Sequence, residues 1–408
     1  MATIATPAGG RTFQLPPAIA PLAGRINDFD AHDAIPINHW ADTYGQVASD
    51  FVRALSSSGH LVAAERDADD TPITEQNVLQ AKMEQAPGAF DFGRRLEVMD
   101  FMGYDRQILF PGNMALFAHA FRVNADDPTY LPALTGDRKR YATSLIGLYN
   151  DWCARVGAEN NRFRPVGLII EDSVEAMMVT LRSLADRGVR LVTMPVDAPP
   201  AGFSPAHPAL DPFWAFAADA GIGIIAHIGV EMSGLFKSTA WRNAPAFQGW
   251  RIGAEIALDP WTTTGLHLPV QNFLGTMILG GVFDRHPALR FGAAEYCGHW
   301  VGPLAENMDR WIAYTPFARF NTGEGIQLQR KPSEYFPTNV RVSLFDFEEV
   351  GTYINRYGFE DVYCFASDYP HFEGGRDTIN SFMKNIDGQP SDILEKFFVT
   401  NARMFAPD

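Results

Sequence analysis

The sequence is poor in cysteine and short of basic residues. Only three cysteines, Cys153, Cys297 and Cys364, occur in 408 residues, and they lie far apart. An odd number of widely separated cysteines excludes a disulfide framework and indicates reduced thiols in a cytoplasmic protein. Lys and Arg number 33 against 48 Asp and Glu, which gives a formal charge of -15. This balance argues against nucleic acid or an anionic membrane as a partner, because both require a basic surface.

Membrane, export and nucleotide-binding signals are absent as well. No apolar run is long enough to span a bilayer, and the N-terminus lacks a charged region followed by an apolar core, so we expect neither a membrane anchor nor export. No Gly-x-Gly-x-x-Gly turn follows the first strand and there is no phosphate loop, which argues against a nucleotide-dependent enzyme. Residues 1–23, rich in Pro, Gly and Ala, are predicted to form an N-terminal arm. Residues 24–408 are predicted to form one domain.

Short apolar strands alternate with helices along most of the chain. Strands without polar alternation, each followed by a helix, indicate a parallel sheet covered on both faces. About eight such units favour a (β/α)8 TIM barrel with loop insertions over the alternative, a doubly wound open sheet. One insertion covers Glu231 to Pro269 and is predicted to be a long loop, a type of segment that is usually functional. The predicted strands are 24–29, 104–111, 163–170, 188–194, 221–227, 289–294, 340–344 and 361–366; the predicted helices are 93–101, 138–156, 172–187, 212–220, 270–284, 299–314, 346–357 and 378–402.

Polar residues follow four of these strands. Asp30 and His32 end the first strand, His227 ends the strand 221–227, Glu295 follows 289–294, and Asp368 follows 361–366. Each alone has an ordinary explanation, such as a turn, a core histidine or a helix cap. Because the carboxyl ends of all barrel strands meet on one rim, we expect these side chains to converge there. Two histidines with two or more carboxylates are a ligand set for one divalent metal.

The remaining histidines are less informative. His207 and His286 precede strands or helices and are interpreted as structural. His299 and His371 follow rim residues, so each either lines the pocket or is a solvated loop residue.

Four motifs resemble the amidohydrolase superfamily, in the branch that includes aminocarboxymuconate semialdehyde decarboxylase and the resorcylate decarboxylases. The resemblance runs from Asp28 to about Phe405. It implies a (β/α)8 barrel with one catalytic metal, zinc or alternatively manganese, held by Asp30, His32, His227 and Asp368. The motifs are Asp28-Phe29-Asp30-Ala31-His32, Ile224-Ile225-Ala226-His227-Ile228-Gly229, Gly281-Val282-Phe283-Asp284-Arg285-His286-Pro287-x-Leu289-Arg290 and Phe365-Ala366-Ser367-Asp368-Tyr369-Pro370-His371.

The sequence departs from this family in two places. Asp30 stands where family members commonly have His or Glu, which makes the site richer in oxygen. Glu295 stands where the decarboxylases usually place a histidine that polarises or protonates the substrate. The segment 189–195 contains no lysine of the kind that bridges two metals in binuclear members, so we expect a single metal.

The resemblance implies a homodimeric decarboxylase of an aromatic or unsaturated carboxylic acid. Asp368 would both bind the metal and shuttle a proton, with Glu295 and His299 in support. The alternatives are a hydrolase that uses a metal-activated water and, from another class, a metal-stabilised binding protein without turnover. An arginine is expected to anchor the substrate carboxylate, and the candidates are Arg94, Arg95 and Arg251.

Overall fold

The computed structural model describes residues 13–59, 64–231, 244–247, 260–314 and 327–407. Most of the predicted loop 231–269 therefore lies outside the described residues, as does Arg251. Within the described ranges, no helix combines the length and the apolar character needed to cross a membrane.

Eight parallel strands, in the order in which they occur along the chain, form the centre of the fold. This sequential order confirms the predicted (β/α)8 barrel and excludes the doubly wound sheet, whose strand order reverses. Backbone bonds close the ring: the Phe29 N–H donates to the Phe365 carbonyl over 3.0 Å, and the Asp368 N–H donates to the Asp30 carbonyl over 2.8 Å. The strands are β1 (Ile26–His32), β2 (Tyr104–Phe110), β3 (Phe163–Leu168), β4 (Leu191–Thr193), β5 (Gly223–His227), β6 (Arg290–Ala294), β7 (Val340–Ser343) and β8 (Tyr363–Cys364).

Helices surround the barrel at most of the predicted places. The Ser173 side chain accepts a hydrogen bond from the Ala176 N–H and caps the start of the helix Val174–Asp186. The single helix predicted over 270–284 is wrong, because Gly281 adopts a left-handed φ of 68° and divides it in two. The described helices of eight or more residues are Ala48–Ser57, Phe92–Met102, Asn113–Val123, Arg138–Glu159, Val174–Asp186, Asp211–Asp219, Leu268–Leu279, Val301–Ala313, Val350–Tyr357 and Thr378–Asn385. The shorter α-helices are Trp40–Tyr44, Glu75–Gln80, Pro260–Thr264, Val282–Arg285, Tyr335–Asn339 and Ser391–Glu395, and a π-helical turn spans Lys396–Thr400.

The C-terminal segment fills the amino end of the barrel. Phe405 packs edge-on against Phe29 of β1 with ring centroids 5.4 Å apart. Its ring also lies where a side chain on Gly223 would stand, since a Cβ there would be 2.4 Å from Phe405. With this end plugged by apolar side chains, the carboxyl end of the barrel is left to hold polar groups.

The described part of the predicted N-terminal arm lies against the barrel. Ile19 and Leu22 are buried, and Phe13 packs on Phe101 with ring centroids 6.2 Å apart. Burial of these apolar side chains ties residues 13–23 to the domain.

Candidate metal centre

The carboxyl ends of β1, β5 and β6 and the segment after β8 bring the predicted rim residues together. The pairing of β1 with β2 shifts register between Asp28 and Ala31. Within this irregular segment, Phe29 lies inside the barrel and Asp30 lies at its rim. His227 is the last residue of β5, and Glu295 follows β6 directly. The His32 N–H donates to the Tyr369 carbonyl over 2.8 Å, which holds the segment after β8 beside β1.

Ring nitrogens and carboxylate oxygens converge on one small region. Nε2 of His32 lies 3.3 Å from Oδ1 of Asp30 and 3.5 Å from Oδ1 of Asp368. Nε2 of His227 lies 3.4 Å from the same Asp30 oxygen and 3.5 Å from Oε2 of Glu295. One ligand atom each from Asp30, His32, His227 and Glu295 lies within 4.8 Å of the others, and all four residues are buried. The structure thus brings together Asp30, His32 and His227 of the predicted ligand set with Glu295, whereas Asp368 groups with His32 and His371.

The atoms that face this region lack hydrogen-bond partners, as expected for atoms that bind a cation. Among the described residues, both Asp30 carboxylate oxygens, Nε2 of His32 and of His227, and Oε1 of Glu295 are buried without a hydrogen-bond partner. Leaving such groups unpaired is costly, because each loses its water without replacement. The opposite ring nitrogen of His227, Nδ1, lies 2.6 Å from the Ile228 carbonyl and donates its proton there, so Nε2 is the nitrogen that can bind a cation in the neutral ring. A divalent metal would satisfy the Asp30 carboxylate and both Nε2 atoms.

His371 also lies at this centre, although sequence analysis could not separate it from a solvated loop residue. Its ring stacks on the His32 ring with centroids 3.8 Å apart, and its Nδ1 lies 3.5 Å from Oδ1 of Asp368. Ligand atoms of His32, Asp368 and His371 lie within 4.8 Å of one another. The signal in the sequence was the spacing of Asp368 and His371 around a proline, which brings position i+3 of a turn back toward position i.

Burial and mutual charge shift the pKa values of the central groups. Burial raises the pKa of Glu295 to about 8, against the opposing effect of the His227 imidazole. For His227 burial acts downward, but the carboxylates of Asp30 and Glu295 outweigh it and raise its pKa to about 9. Burial lowers the pKa values of His32 and His371 below their ordinary range. Without a metal, the centre therefore holds protons at neutral pH.

These shifts predict that metal binding depends on pH. Below its pKa of about 9, His227 carries a proton that must leave before Nε2 can bind a cation, so acid weakens binding. We expect the apparent association constant for zinc or manganese to rise about tenfold per pH unit between pH 6 and pH 8 and to level off near pH 9. Calorimetric titrations in two buffers of different ionisation enthalpy would report the proton release. An affinity that is flat over this range contradicts the assignment.

Asp28 holds the segments that carry Asp30 and Asp368 together through hydrogen bonds. It is fully buried and accepts hydrogen bonds from the Ser367 N–H at 2.8 Å, the Ser367 hydroxyl at 2.5 Å and the Gln107 amide at 2.8 Å. These bonds join β1, β2 and the segment after β8 next to Asp368. Asp368 and Glu295 have left-handed φ values of 51° and 61°, which are unusual outside glycine and occur where the surrounding structure fixes a functional side chain.

Arg94 and Arg95, two of the three candidates for a substrate anchor, bond to backbone carbonyls of the domain. Arg95 is completely buried and donates to the carbonyls of Gly88 at 2.6 Å and His32 at 2.9 Å, while its guanidinium lies 4.8 Å from the centre of the Tyr369 ring. Arg94 donates to the carbonyls of Asp69 and Thr71. Both guanidinium groups are thus committed to backbone carbonyls, and Arg95 positions the backbone of His32.

Substituting Arg95 by Met should lower both stability and metal affinity. The change leaves the carbonyls of Gly88 and His32 buried without their donor, which should reduce the free energy of unfolding by about 3 kcal/mol. Arg53→Met, at an exposed position whose guanidinium pairs with the exposed Asp50, is the control and should cost less than about 1 kcal/mol. Urea unfolding and zinc titration measure the two effects. Equal losses in the two variants would contradict the role of Arg95.

A cavity of about 610 Å³ opens beside the centre, and Glu295 is part of its wall. His299, predicted to assist catalysis, lies in this wall rather than at the metal centre, with Nδ1 4.0 Å from Oε2 of Glu348. Sequence analysis did not single out Glu348, Phe345 or the other lining residues contributed by the segment after β7. The full lining is Ile228, Thr263, Thr264, Leu266, Glu295, Cys297, His299, Phe345, Phe347, Glu348, Glu349, Tyr353 and Glu373.

Comparisons with known proteins give a family and several relatives of the same fold. A family profile described as amidohydrolase matches residues 130–405. An amidohydrolase from Mycobacterium avium subsp. paratuberculosis K-10 superposes with a TM-score of 0.64 at 18% identity, over 94% of this chain and 99% of that chain. The 5-carboxyvanillate decarboxylase of Sphingomonas paucimobilis gives 0.60 at 16% identity, over 93% and 98%.

A dihydroxybenzoic acid decarboxylase from Polaromonas sp. JS666, solved with bound manganese and the inhibitor 2-nitroresorcinol, gives a TM-score of 0.55 at 18% identity, over 94% of this chain and 96% of that chain. Among curated proteins, no sequence matches. At these identities the structural likeness shows a shared fold.

Proposed function

We propose, from the premise that this chain belongs to the amidohydrolase family, that it is a metal-dependent, non-oxidative decarboxylase of an aromatic or unsaturated carboxylic acid. The observation that carries the proposal is the buried, converging donor set of Asp30, His32 and His227, whose facing atoms lack hydrogen-bond partners among the described residues. Glu295 has a carboxylate oxygen within 4.8 Å of ligand atoms of these three residues, and it also lines the cavity. The decarboxylase structures from Sphingomonas and Polaromonas, which share this fold, support the same reaction.

Asp30, His32, His227 and Asp368 would hold one divalent metal ion. Two imidazoles suit zinc, while the carboxylate oxygens suit manganese, the metal found in the Polaromonas structure. We propose zinc, with manganese as the alternative, in a cytoplasmic homodimer. When bound, the metal supplies positive charge to the substrate carboxylate and an adjacent oxygen.

The residues around the metal then supply one proton to the substrate. In the reaction, the carbon that bears the carboxylate gains a proton, the bond to the carboxylate carbon breaks, and CO2 leaves. Asp368 is proposed to deliver that proton from its carboxyl group, as a general acid. Glu295, whose pKa is raised by burial to about 8 and whose side chain also interacts with Asp368, is proposed to keep a proton available at neutral pH.

The cavity favours an aromatic or similarly flat substrate. Phe345 and Phe347 stack with ring centroids 5.4 Å apart and an interplanar angle of 8°, and Leu266 and Tyr353 add further apolar surface. Flat aromatic rings prefer offset or edge contacts with such side chains. A volume of about 610 Å³ suits a small-molecule acid.

Glu295 also favours a second candidate function, metal-dependent hydrolysis of a C–N, C–O or C–C bond. A carboxyl group whose pKa is raised to about 8 by burial is protonated at neutral pH and can donate a proton to a leaving group. Asp368 would then accept the proton of the attacking water. The same donor set serves both reactions, so substitution at Glu295 must separate them.

Replacing Glu295 by Ala should affect the two reactions differently. We expect CO2 release to fall by less than about tenfold, because Asp368 still delivers the proton, whereas acid-assisted hydrolysis should fall by about 100-fold or more. The measurement is kcat for both reactions at saturating metal. Loss of CO2 release equal to that of an Asp368 variant would contradict a merely supporting role of Glu295.

The proposed function itself is tested by a substrate screen on metal-loaded protein. Metal-free protein, reconstituted with zinc or manganese, is assayed for CO2 release from hydroxybenzoic and enoic acids and for hydrolysis of esters, lactones and amides. We expect CO2 release that disappears with a chelator and returns with the metal. Hydrolysis without CO2 release would replace the proposal by the second candidate, and ligand binding without any turnover would indicate a binding protein.

A further inference from the structure

A second cluster of metal-ligating side chains lies in the wall of the same cavity. Cys297 and His299 come from the segment after β6, and Glu348 comes from the segment after β7. The thiol, one ring nitrogen and one carboxylate oxygen of these residues lie within 4.8 Å of one another. Asp30, His32 and His227, which form the first centre, do not belong to this group. The two sets therefore share a cavity but use different donors.

The backbone around the cluster holds its donors in place. Glu348 is buried and accepts hydrogen bonds from the Gly298 N–H at 2.8 Å and the Phe345 N–H at 3.0 Å, which fixes its carboxylate to both segments. Cys297 has a left-handed φ of 61°, and its carbonyl accepts the Trp300 indole N–H at 2.8 Å. Fixed donors bind a cation with little further ordering.

His267 provides an independent observation that points to a ligand. Its ring meets the His299 ring edge to face, with centroids 4.7 Å apart. Its Nδ1 is buried and has no hydrogen-bond partner among the described residues. A buried ring nitrogen without a partner is costly, so a polar group bound beside His299 would stabilise it. His267 is not one of the three residues whose ligand atoms lie within 4.8 Å of one another, so the cluster supplies three protein donors.

The charge of the cavity also favours a cation. Glu295, Glu348, Glu349 and Glu373 line it, whereas the lining residues that the structure describes include no lysine or arginine. A bound cation would pair with carboxyl groups of this wall and would present positive charge to the cavity, which neither Arg94 nor Arg95 supplies.

We propose that Cys297, His299 and Glu348 form a second metal site that selects zinc over manganese. Thiolate, imidazole and carboxylate are the usual zinc ligands, while manganese prefers oxygen donors. On binding, the Cys297 thiol releases its proton to solvent and sulfur keeps its oxidation state. The oxygen-richer first centre accepts either metal.

Metal stoichiometry tests the second site without any activity assay. Metal-free protein is titrated with zinc, manganese or cadmium, bound metal is measured by elemental analysis, and the cadmium titration is followed by the sulfur-to-metal charge-transfer band in the ultraviolet. We expect two equivalents of zinc, one of manganese and a thiolate band with cadmium. Cys297→Ser should bind one equivalent of zinc and lose the band, and His299→Gln should weaken the second zinc while keeping the first.

Cys153→Ala, which removes a fully buried thiol elsewhere in the domain, is the matched control and should keep two equivalents and the band. A folded wild-type protein that binds a single zinc without the thiolate band overturns the second site and leaves the proposed function untouched. A thiolate band abolished by Cys297→Ser, together with no manganese binding, would support the second site and contradict the first.

Discussion

Asp368→Asn should lower kcat for CO2 release by about 1,000-fold while the protein stays folded. Asn keeps the shape of the side chain, and the backbone bond between the Asp368 N–H and the Asp30 carbonyl does not involve the substituted atoms. The amide cannot carry a transferable proton, and it removes a negative charge 3.5 Å from Nε2 of His32 and from Nδ1 of His371. Both proposed roles of Asp368, proton delivery and metal binding, are therefore lost or weakened.

The assay for this variant must separate the two roles. Turnover is measured at metal concentrations that give full occupancy, with bound metal determined on the same sample. Asp172→Asn changes an exposed carboxylate that pairs with Arg122 and Lys139, and it should leave kcat unchanged. An Asp368→Asn protein that is fully loaded with metal and retains more than about a tenth of wild-type kcat would show that another group delivers the proton.

Asp30→Asn should weaken metal binding by more than about 100-fold, with activity falling in parallel at limiting metal. Oδ1 of Asp30 lies 3.3 Å from Nε2 of His32 and 3.4 Å from Nε2 of His227, so it is the carboxylate closest to both imidazoles. The imidazoles also hold the pKa of Asp30 below its ordinary value despite burial, which keeps it charged for a cation. A neutral amide removes that charge.

Competition against a chromophoric chelator gives the affinity of the Asp30 variant. Asp105→Asn, at the amino end of β2 and away from the rim, is the control for a general effect of removing a carboxylate. If Asp30→Asn binds manganese as tightly as the control, Asp30 is not a ligand, and the first centre must be built from other residues.

Sequence reasoning could locate the first centre because its residues occupy positions that barrel topology determines. His227 and Glu295 stand at the ends of apolar strands, and Asp30 and His32 end β1. In a parallel barrel such positions meet on one rim regardless of their separation in sequence. Exact strand boundaries were not needed to locate the centre. For example, β8 is shorter than the predicted strand 361–366 and contains only Tyr363–Cys364.

The rest of the site depends on contacts that no local pattern encodes. His371 reaches the centre through the turn after Asp368, and Glu348 is held by N–H groups from two separate segments. Arg95 has an ordinary helical position in the sequence, and only the fold shows that backbone carbonyls surround its guanidinium. The helix Asn113–Val123 was not predicted either. Loop conformation and non-local hydrogen bonds therefore set the limit of the prediction.

Anomalous diffraction from crystals of the manganese-loaded protein tests the central claim most directly. The account predicts one strong anomalous peak at the carboxyl end of the barrel, bound by Asp30, Asp368 and Nε2 of both His32 and His227. A crystal that contains stoichiometric manganese but shows no peak between these four side chains would contradict the assignment of the metal centre.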